Sequence, residues 1–171
     1  KPMRIKKSLL ILLFLIISGI ASAQSKSYKI YDSFSEMDGV SRFSFSKNML
    51  DVVNIDLDDE GKKITGDLHE IRFLSYNPQK GVMNGPQFIK KAVALLPAVY
   101  SKIDIEDNDD GIEAWMLGNK KKATEFHLFI KSDSPESMHF LVSFYGNFNI
   151  DDMDKLTHIG IDLSKNDEET K

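Results

Sequence analysis

The acidic residues in the stretch FLVSFYGNFNIDDMDKL, residues 140–156, are the first candidates for chemistry. Asp151, Asp152 and Asp154 lie close together just after an apolar run, and closely spaced carboxylates can hold a metal ion or act in acid–base catalysis. Asn149, however, is a good helix N-cap, and Asp152 stands three residues later, where a carboxylate stabilises the first helical turn. The sequence therefore favours the start of a helix over a catalytic or metal site.

The segment DLDDEGKKITGD, residues 56–67, is the best candidate for a metal site. Its acidic residues and a glycine follow part of the calcium-loop pattern; the acids are Asp56, Asp58, Glu60 and Asp67. The last position normally supplies a bidentate glutamate, and an aspartate there is one methylene shorter. A solvated turn is favoured, and calcium binding or a hydrolase that uses these acids is the alternative.

The histidines and potential nucleophiles give no assignment. The chain has no cysteine and four histidines without zinc-ligand spacing, and no serine lies in a G-x-S-x-G turn. His127 and His139 fall on the same face of two predicted strands, but pairing Leu128 with Phe140 would place the two histidines diagonally. A triad assembled in space stays open, because its members can lie anywhere in the chain. No catalytic, cofactor or metal residue is assigned.

Hydrophobic spacing predicts the elements that would position these residues. Alternation predicts strands at VSRFSFS, IRFLSYN, IEAWMLG, TEFHLFIK and MHFLVSFYGNF, which begin at residues 40, 71, 112, 124 and 138. Helical spacing predicts a helix in KNMLDVVNI, a short helix in KKITGDLHEI, a longer one from Pro86 to about Leu96, and a last one after Asn149.

These elements predict an α+β fold in the order β-α-β-α-β-β-β-α. Short turns between the last three strands predict an antiparallel meander, and we expect a largely antiparallel sheet of about five strands with helices packed mainly on one face. The length suits one domain, residues 24–163, followed by a disordered polar tail at 164–171.

One face of the predicted sheet is unusually mixed in composition. Large apolar residues lie there beside His127 and His139; they are Trp115, Leu117, Phe129, Leu141 and Tyr145. A wet sheet face rarely carries so many. The favoured interpretation is that another segment covers them, such as YKIYDSF at residues 28–34, and the alternative is a binding patch for a partner or ligand.

The first 23 residues have the layout of a secretory signal peptide. A basic start, an apolar run from Leu9 to Ile17 and the small residues Ala21-Ser22-Ala23 predict cleavage after Ala23. The residue after that point is Gln24 and not cysteine, so we expect a soluble periplasmic or secreted protein, not a lipoprotein, with no stable membrane span after cleavage.

The net charge limits the classes of partner. It is −4 for the whole chain and becomes more negative once the four cationic residues of the leader are removed. An acidic protein is a poor match for nucleic acid or an anionic membrane surface.

The succession of motifs resembles a known family of secreted bacterial proteins, the "domain of unknown function 4252" family. The matching stretches are SFSKNML, EIRFLSYN, QFIKKAVALL and FLVSFYGNFNIDDMDKL, in this order. The resemblance implies a single α+β domain with a signal sequence and offers no catalytic or binding residue.

Together, these features predict a non-enzymatic periplasmic or secreted module that binds a protein or an envelope component.

Overall fold

The computed structural model describes residues 25–50, 64, 66–105, 111–132 and 134–169. Within these ranges the elements are α1 (Tyr28–Ser33), β1 (Val40–Ser46), α2 (Lys47–Leu50), β2 (Asp67–Tyr76), α3 (Gly85–Ala94), β3 (Ser101–Ile103), β4 (Ile112–Gly118), β5 (Lys122–Ile130), β6 (His139–Asn149), a 3₁₀ turn (Ile150–Asp152) and α4 (Met153–Glu169).

The strands form one antiparallel sheet in the order β1-β2-β6-β5-β4-β3. The predicted α+β class and the meander of the last three long strands are confirmed. Among the described residues the sheet has six strands where about five were expected. The strand that was not predicted, β3, is only three residues long and too short to show alternation.

The pairing of β5 with β6 differs from the predicted register by two residues. Leu128 pairs with Val142 and not with Phe140, and His127 therefore lies opposite Ser143. A shift of two keeps every side chain on its predicted face, so the assignment of faces holds although the pairs differ.

The first face of the sheet is apolar and packs against α4. Its buried side chains come from β2, β4, β5, β6 and α4; they include Ile71, Ala114, Phe126, Leu128, Val142, Phe144, Leu156 and Ile159. A capping box lies just before α4. The Asn149 side chain accepts from the backbone amide of Asp152, and the Asp152 side chain accepts from the backbone amide of Asn149 at 3.3 Å. The prediction that these acids open a helix is confirmed.

The second face is covered by α1 and α3. Ile30, Tyr31 and Phe34 of the first segment are buried in a cluster with Phe129 and Leu141. The predicted cover of this face by residues 28–34 is confirmed. Helices thus lie on both faces, α4 on the first and α1 and α3 on the second, because β5 and β6 carry large apolar side chains on both faces and each face needs a cover.

A β-bulge explains why a short helix was predicted before the second strand. The register of β2 against β6 shifts between Leu68 and Glu70. The extra residue places Leu68 and Ile71 in the same apolar cluster although they are three positions apart. Three-residue spacing is typical of a helix, but here it belongs to a bulged strand over residues 67–71, and that part of the helix prediction is wrong.

Helix α4 includes residues 164–169 of the segment expected to be a disordered tail. The Ser164 side chain is buried and donates to the Ile161 carbonyl at 2.7 Å, and no proline or glycine interrupts the helix there. No helix among the described residues is long and apolar enough to cross a membrane.

Candidate functional site

The second face contains a buried carboxylate, Glu125, which accepts hydrogen bonds from three hydroxyl groups. Glu125 is 8% exposed. Ser25 donates to its Oε1 at 2.7 Å, and Ser27 and Tyr100 donate to its Oε2 at 2.8 and 2.7 Å. Tyr145 lies 3.0 Å from the Ser27 hydroxyl. The carboxylate thus ties the segment before α1 to β5 and to the start of β3.

His127 connects this carboxylate to a second group of hydroxyls. Its Nδ1 lies 2.7 Å from Ser143 Oγ, which accepts from the Tyr31 hydroxyl at 2.6 Å. Its Nε2 lies 3.4 Å from Glu125 Oε2 without the geometry of a regular hydrogen bond, so this contact is electrostatic. A proton on Nε2 leaves Nδ1 free to accept from Ser143 and points toward the carboxylate.

The pKa shifts follow from this arrangement. Burial by itself would raise the pKa of Glu125, but the contacts with His127, Ser25, Tyr100 and Ser27 lower it to about 2. Burial lowers the pKa of His127, although the neighbouring carboxylate acts in the opposite direction. Near neutral pH the glutamate is therefore ionised and the histidine neutral.

The chain of serine, histidine and glutamate has the residue types of a hydrolytic triad, but its serine is enclosed. Ser143 and His127 are each 0% exposed, and Tyr31 of α1 occupies the open side of the serine hydroxyl. A nucleophile must reach a substrate carbonyl to act, and α1 blocks that approach. This geometry suits a hydrogen-bonded clasp between α1 and the sheet. We call Ser27, Tyr31, Glu125, His127 and Ser143 the polar clasp.

A second polar group lies nearer the β1 edge and includes Arg72. Its Nε donates to Glu70 at 2.8 Å, and its guanidinium stacks on the Tyr28 ring 3.5 Å from the centroid. Tyr28 and Ser44 also donate to Glu70, at 2.7 and 2.6 Å. Burial would raise the pKa of Glu70, but these three donors lower it. Arg72 is thus held rigidly by its neighbours.

An open pocket of about 510 Å³ lies beside this group, between α1 and β1. It is lined by Tyr31, Ser35, Val40, Arg42, Phe43, Ser44 and Arg72. Among the described residues, Arg42 donates only to the Tyr31 carbonyl, at 3.4 Å, and has no carboxylate partner there. We call this cavity the α1–β1 pocket; it is a solvent-accessible site with two guanidinium groups.

The five residues of the predicted binding patch do not form one exposed surface. Phe129, Leu141 and Tyr145 are buried beneath α1 and its neighbours, while Trp115 and Leu117 are half-buried. The indole of Trp115 donates to Glu113 at 3.0 Å. The buried members of the patch cannot contact a partner while α1 is in place.

The predicted calcium loop falls mostly outside the described residues. Asp56, Asp58 and Glu60 lie there, and only Asp67 is described. It begins β2, is exposed and contacts Lys47 at 2.9 Å. No group of metal-binding side chains occurs among the residues that the structure describes.

Sequence reasoning missed the polar clasp and both arginines of the pocket. A usable signal was present in β5, where Glu125 and His127 alternate with Phe126 and Leu128. Two polar residues on one face of a central strand must be satisfied by partners, which points to hydroxyls from another segment. Arg42 carries no such signal, because an isolated arginine on a strand is common.

Residues 31–156 match the family whose description is "Domain of unknown function (DUF4252)". The chain belongs to the DUF4252 family. The matched range of this DUF4252 protein includes Tyr31, Glu125, His127 and Ser143 of the clasp and both pocket arginines, whereas Ser27 lies before it. No curated protein and no solved structure matches the chain at a significant level.

Proposed function

We propose that this DUF4252 protein is a non-enzymatic, periplasmic or secreted binding module whose α1–β1 pocket holds an acidic group of its ligand. The observation that carries the proposal is the Arg42 guanidinium, which lines an open pocket and donates only to a backbone carbonyl among the described residues. The signal-peptide pattern of residues 1–23 supports the location.

The chemistry of guanidinium favours a carboxylate or phosphate as the bound group. Arginine presents a planar set of donors that matches two acceptor oxygens. The pocket volume of about 510 Å³ lies within the usual range for ligand sites. The acidic balance of the chain, −4 overall, disfavours a polyanion and favours a single acidic group held locally.

The neighbours of Arg42 suit recognition better than catalysis. Arg72 is fixed by Glu70 and Tyr28, so one wall of the pocket is rigid before binding, which lowers the entropy lost on association. The hydroxyls of Ser35 and Ser44 already donate to the Asp32 carbonyl and to Glu70. Glu70, which accepts from Ser44, also accepts from Tyr28 and Arg72, and its lowered pKa makes it a weak base for activating the Ser44 hydroxyl.

A titration with a small dicarboxylate tests the proposal. Cells express the full chain, and the protein recovered from their extracytoplasmic fraction is titrated with glutarate while ¹H–¹⁵N spectra are recorded. We expect saturable shifts at residues 31, 35, 40–44 and 72. Arg42→Gln should weaken binding at least roughly tenfold, since a charged hydrogen bond is lost.

The matched control is Lys90→Gln, which removes an exposed cation from α3 away from the pocket. This variant should bind glutarate as the unaltered chain does. Equal weakening by both variants would mean nonspecific attraction, and shifts confined to another region would place the site elsewhere. Retention of the protein in the cytoplasm would contradict the proposed location.

A further inference from the structure

The two edges of the sheet differ in a way that points to a partner. At one end of the sheet, the edge strand is β3, which has only three residues. At the other, β1 is a seven-residue strand that pairs on one side with β2, and no strand among the described residues pairs with its other side. Long open edges expose backbone donors and acceptors that can pair with another chain, and proteins usually protect them.

The side chains of β1 give this edge two chemically distinct faces. Phe43 is 50% exposed on the face of α4, where its ring lies 6.4 Å from that of Phe73. Arg42 and Ser44 lie on the opposite face of the strand and line the α1–β1 pocket, whose lining also includes Phe43. A strand added beside β1 would therefore place alternate side chains against an aromatic ring and against a guanidinium.

Charge complementarity selects the occupant of this edge. If β1 paired with β1 of a second copy around Phe43, each Arg42 would lie diagonal to the other, about 7–8 Å away, and the two cations would repel. A strand with acidic residues on the pocket face would instead place a carboxylate near Arg42. The edge thus fits an acidic partner better than a second copy.

We propose that β1 binds an extended segment of a partner protein by strand addition, with acidic side chains facing the α1–β1 pocket and apolar side chains beside Phe43. This inference rests on the proposed function, because the pocket supplies the recognition of the acidic side chain. Main-chain hydrogen bonds supply affinity in such complexes, and the alternate side chains supply specificity.

A designed peptide tests strand addition directly. The probe is acetyl-TVEVEVT-amide carrying a fluorophore, and binding to the full chain as recovered above is measured by fluorescence anisotropy. Two versions methylated on alternate backbone amides keep the same side chains but cannot form one set of main-chain bonds. We expect one of the two versions to bind at least tenfold more weakly than the parent peptide.

Variants of the protein test the two residues that an added strand would contact. Phe43→Lys should weaken the parent peptide at least fivefold, and Arg42→Gln should weaken both the peptide and glutarate. Because Phe43 also lines the pocket, the methylated peptides, which leave the protein unchanged, separate strand addition from binding in the pocket. Val99→Lys is the control, because Val99 is 56% exposed outside the β1 edge, and it should change neither. Circular dichroism melts of each variant report whether it is folded.

The outcomes distinguish the two proposals. Equal binding of the parent and both methylated peptides would overturn strand addition, and retained glutarate binding would then leave the pocket proposal standing. Loss of glutarate binding at the pocket would remove both. The chain could instead associate with itself, in a way that Phe43→Lys abolishes and the peptide does not reverse. That result would show that a second copy occupies the edge, and it would also overturn this inference.

Discussion

The two faces of the sheet are covered by helices that are held in place by different interactions. Helix α4 packs on the first face through apolar side chains such as Leu156 and Ile159, against Leu128 and Phe144. The short helix α1 covers the second face partly through Ile30 and Phe34 and partly through hydroxyls that reach Glu125 and Ser143. Apolar packing is insensitive to pH, whereas a buried ionised cluster depends on its protonation.

The α1–β1 pocket lies beside the second face, whose cover contains the ionised carboxylate. Tyr31 belongs both to the polar clasp and to the wall of the α1–β1 pocket. A loss of the clasp should therefore deform the pocket, while a loss of packing under α4 should destabilise the whole domain. Three substitutions separate these effects.

The largest effect is expected on the apolar face, from Phe144→Ala. Phe144 is 0% exposed, and truncation of a buried phenylalanine costs roughly 3–5 kcal/mol of unfolding free energy. Urea denaturation at pH 7 measures it, and the loss should be the same at pH 5. If the alanine variant does not fold, Phe144→Leu should lose about 1.5 kcal/mol or less, and Val99→Ala should stay within about 0.5 kcal/mol. A small loss at Phe144 would mean that α4 is not the main apolar cover.

The second effect is the acid sensitivity conferred by Glu125. Its pKa falls from 4.5 to about 2 on folding, so its contribution is present above pH 4.5 and is lost as the pH falls through about 2. The shift corresponds to about 3 kcal/mol. Glu125→Gln should be less stable than the parent chain at pH 7, and the gap should shrink by roughly that amount between pH 5 and pH 2.

Glu136→Gln provides the control for this pH series, because Glu136 is exposed. Its stability should follow that of the parent chain at every pH. A gap between the parent chain and Glu125→Gln that stays constant with pH would mean that Glu125 is not held ionised by its hydroxyl partners.

The sequence predicts which side chains share a face of the sheet, but it does not identify the partners of the buried polar side chains. The alternation in β5 and β6 placed Phe129 and Leu141 on the same face correctly, because side-chain direction in a strand follows directly from the period of two. The bulge at Leu68 broke that period and imitated a helix. Pairs such as Glu125 with Ser27 join residues 98 positions apart, and no local pattern reports such a contact.

The sequence predicted that residues 28–34 cover the second face of the sheet, but it did not predict that they form a helix. It has six residues, no side-chain cap bond and no acid in its first turn, so none of the usual starting signals is present. Burial of Ile30, Tyr31 and Phe34 stabilises it instead. The α1–β1 pocket depends on that docking, so no local sequence pattern locates it.

The smallest effect is expected from Tyr31→Phe, which removes one hydroxyl of the clasp. The variant leaves Ser143 without its donor, at a cost of about 1–2 kcal/mol for a buried hydrogen bond. Thermal or urea unfolding measures it. Tyr28→Phe removes a less buried hydroxyl bound to Glu70 and should cost less. A larger loss for Tyr28→Phe would reverse the assignment of which hydroxyl secures α1.

Hydrogen exchange of the Glu125→Gln variant tests most directly whether the clasp holds α1 on the sheet. At pH 7, mass spectrometry should show that exchange of the amides of residues 28–34 rises by about tenfold or more beyond the rise at the α4 amides of residues 153–164, which follow the lower global stability of the variant. Exchange that rises equally in both helices, or in neither, would contradict the claim that the two faces are closed by separate means.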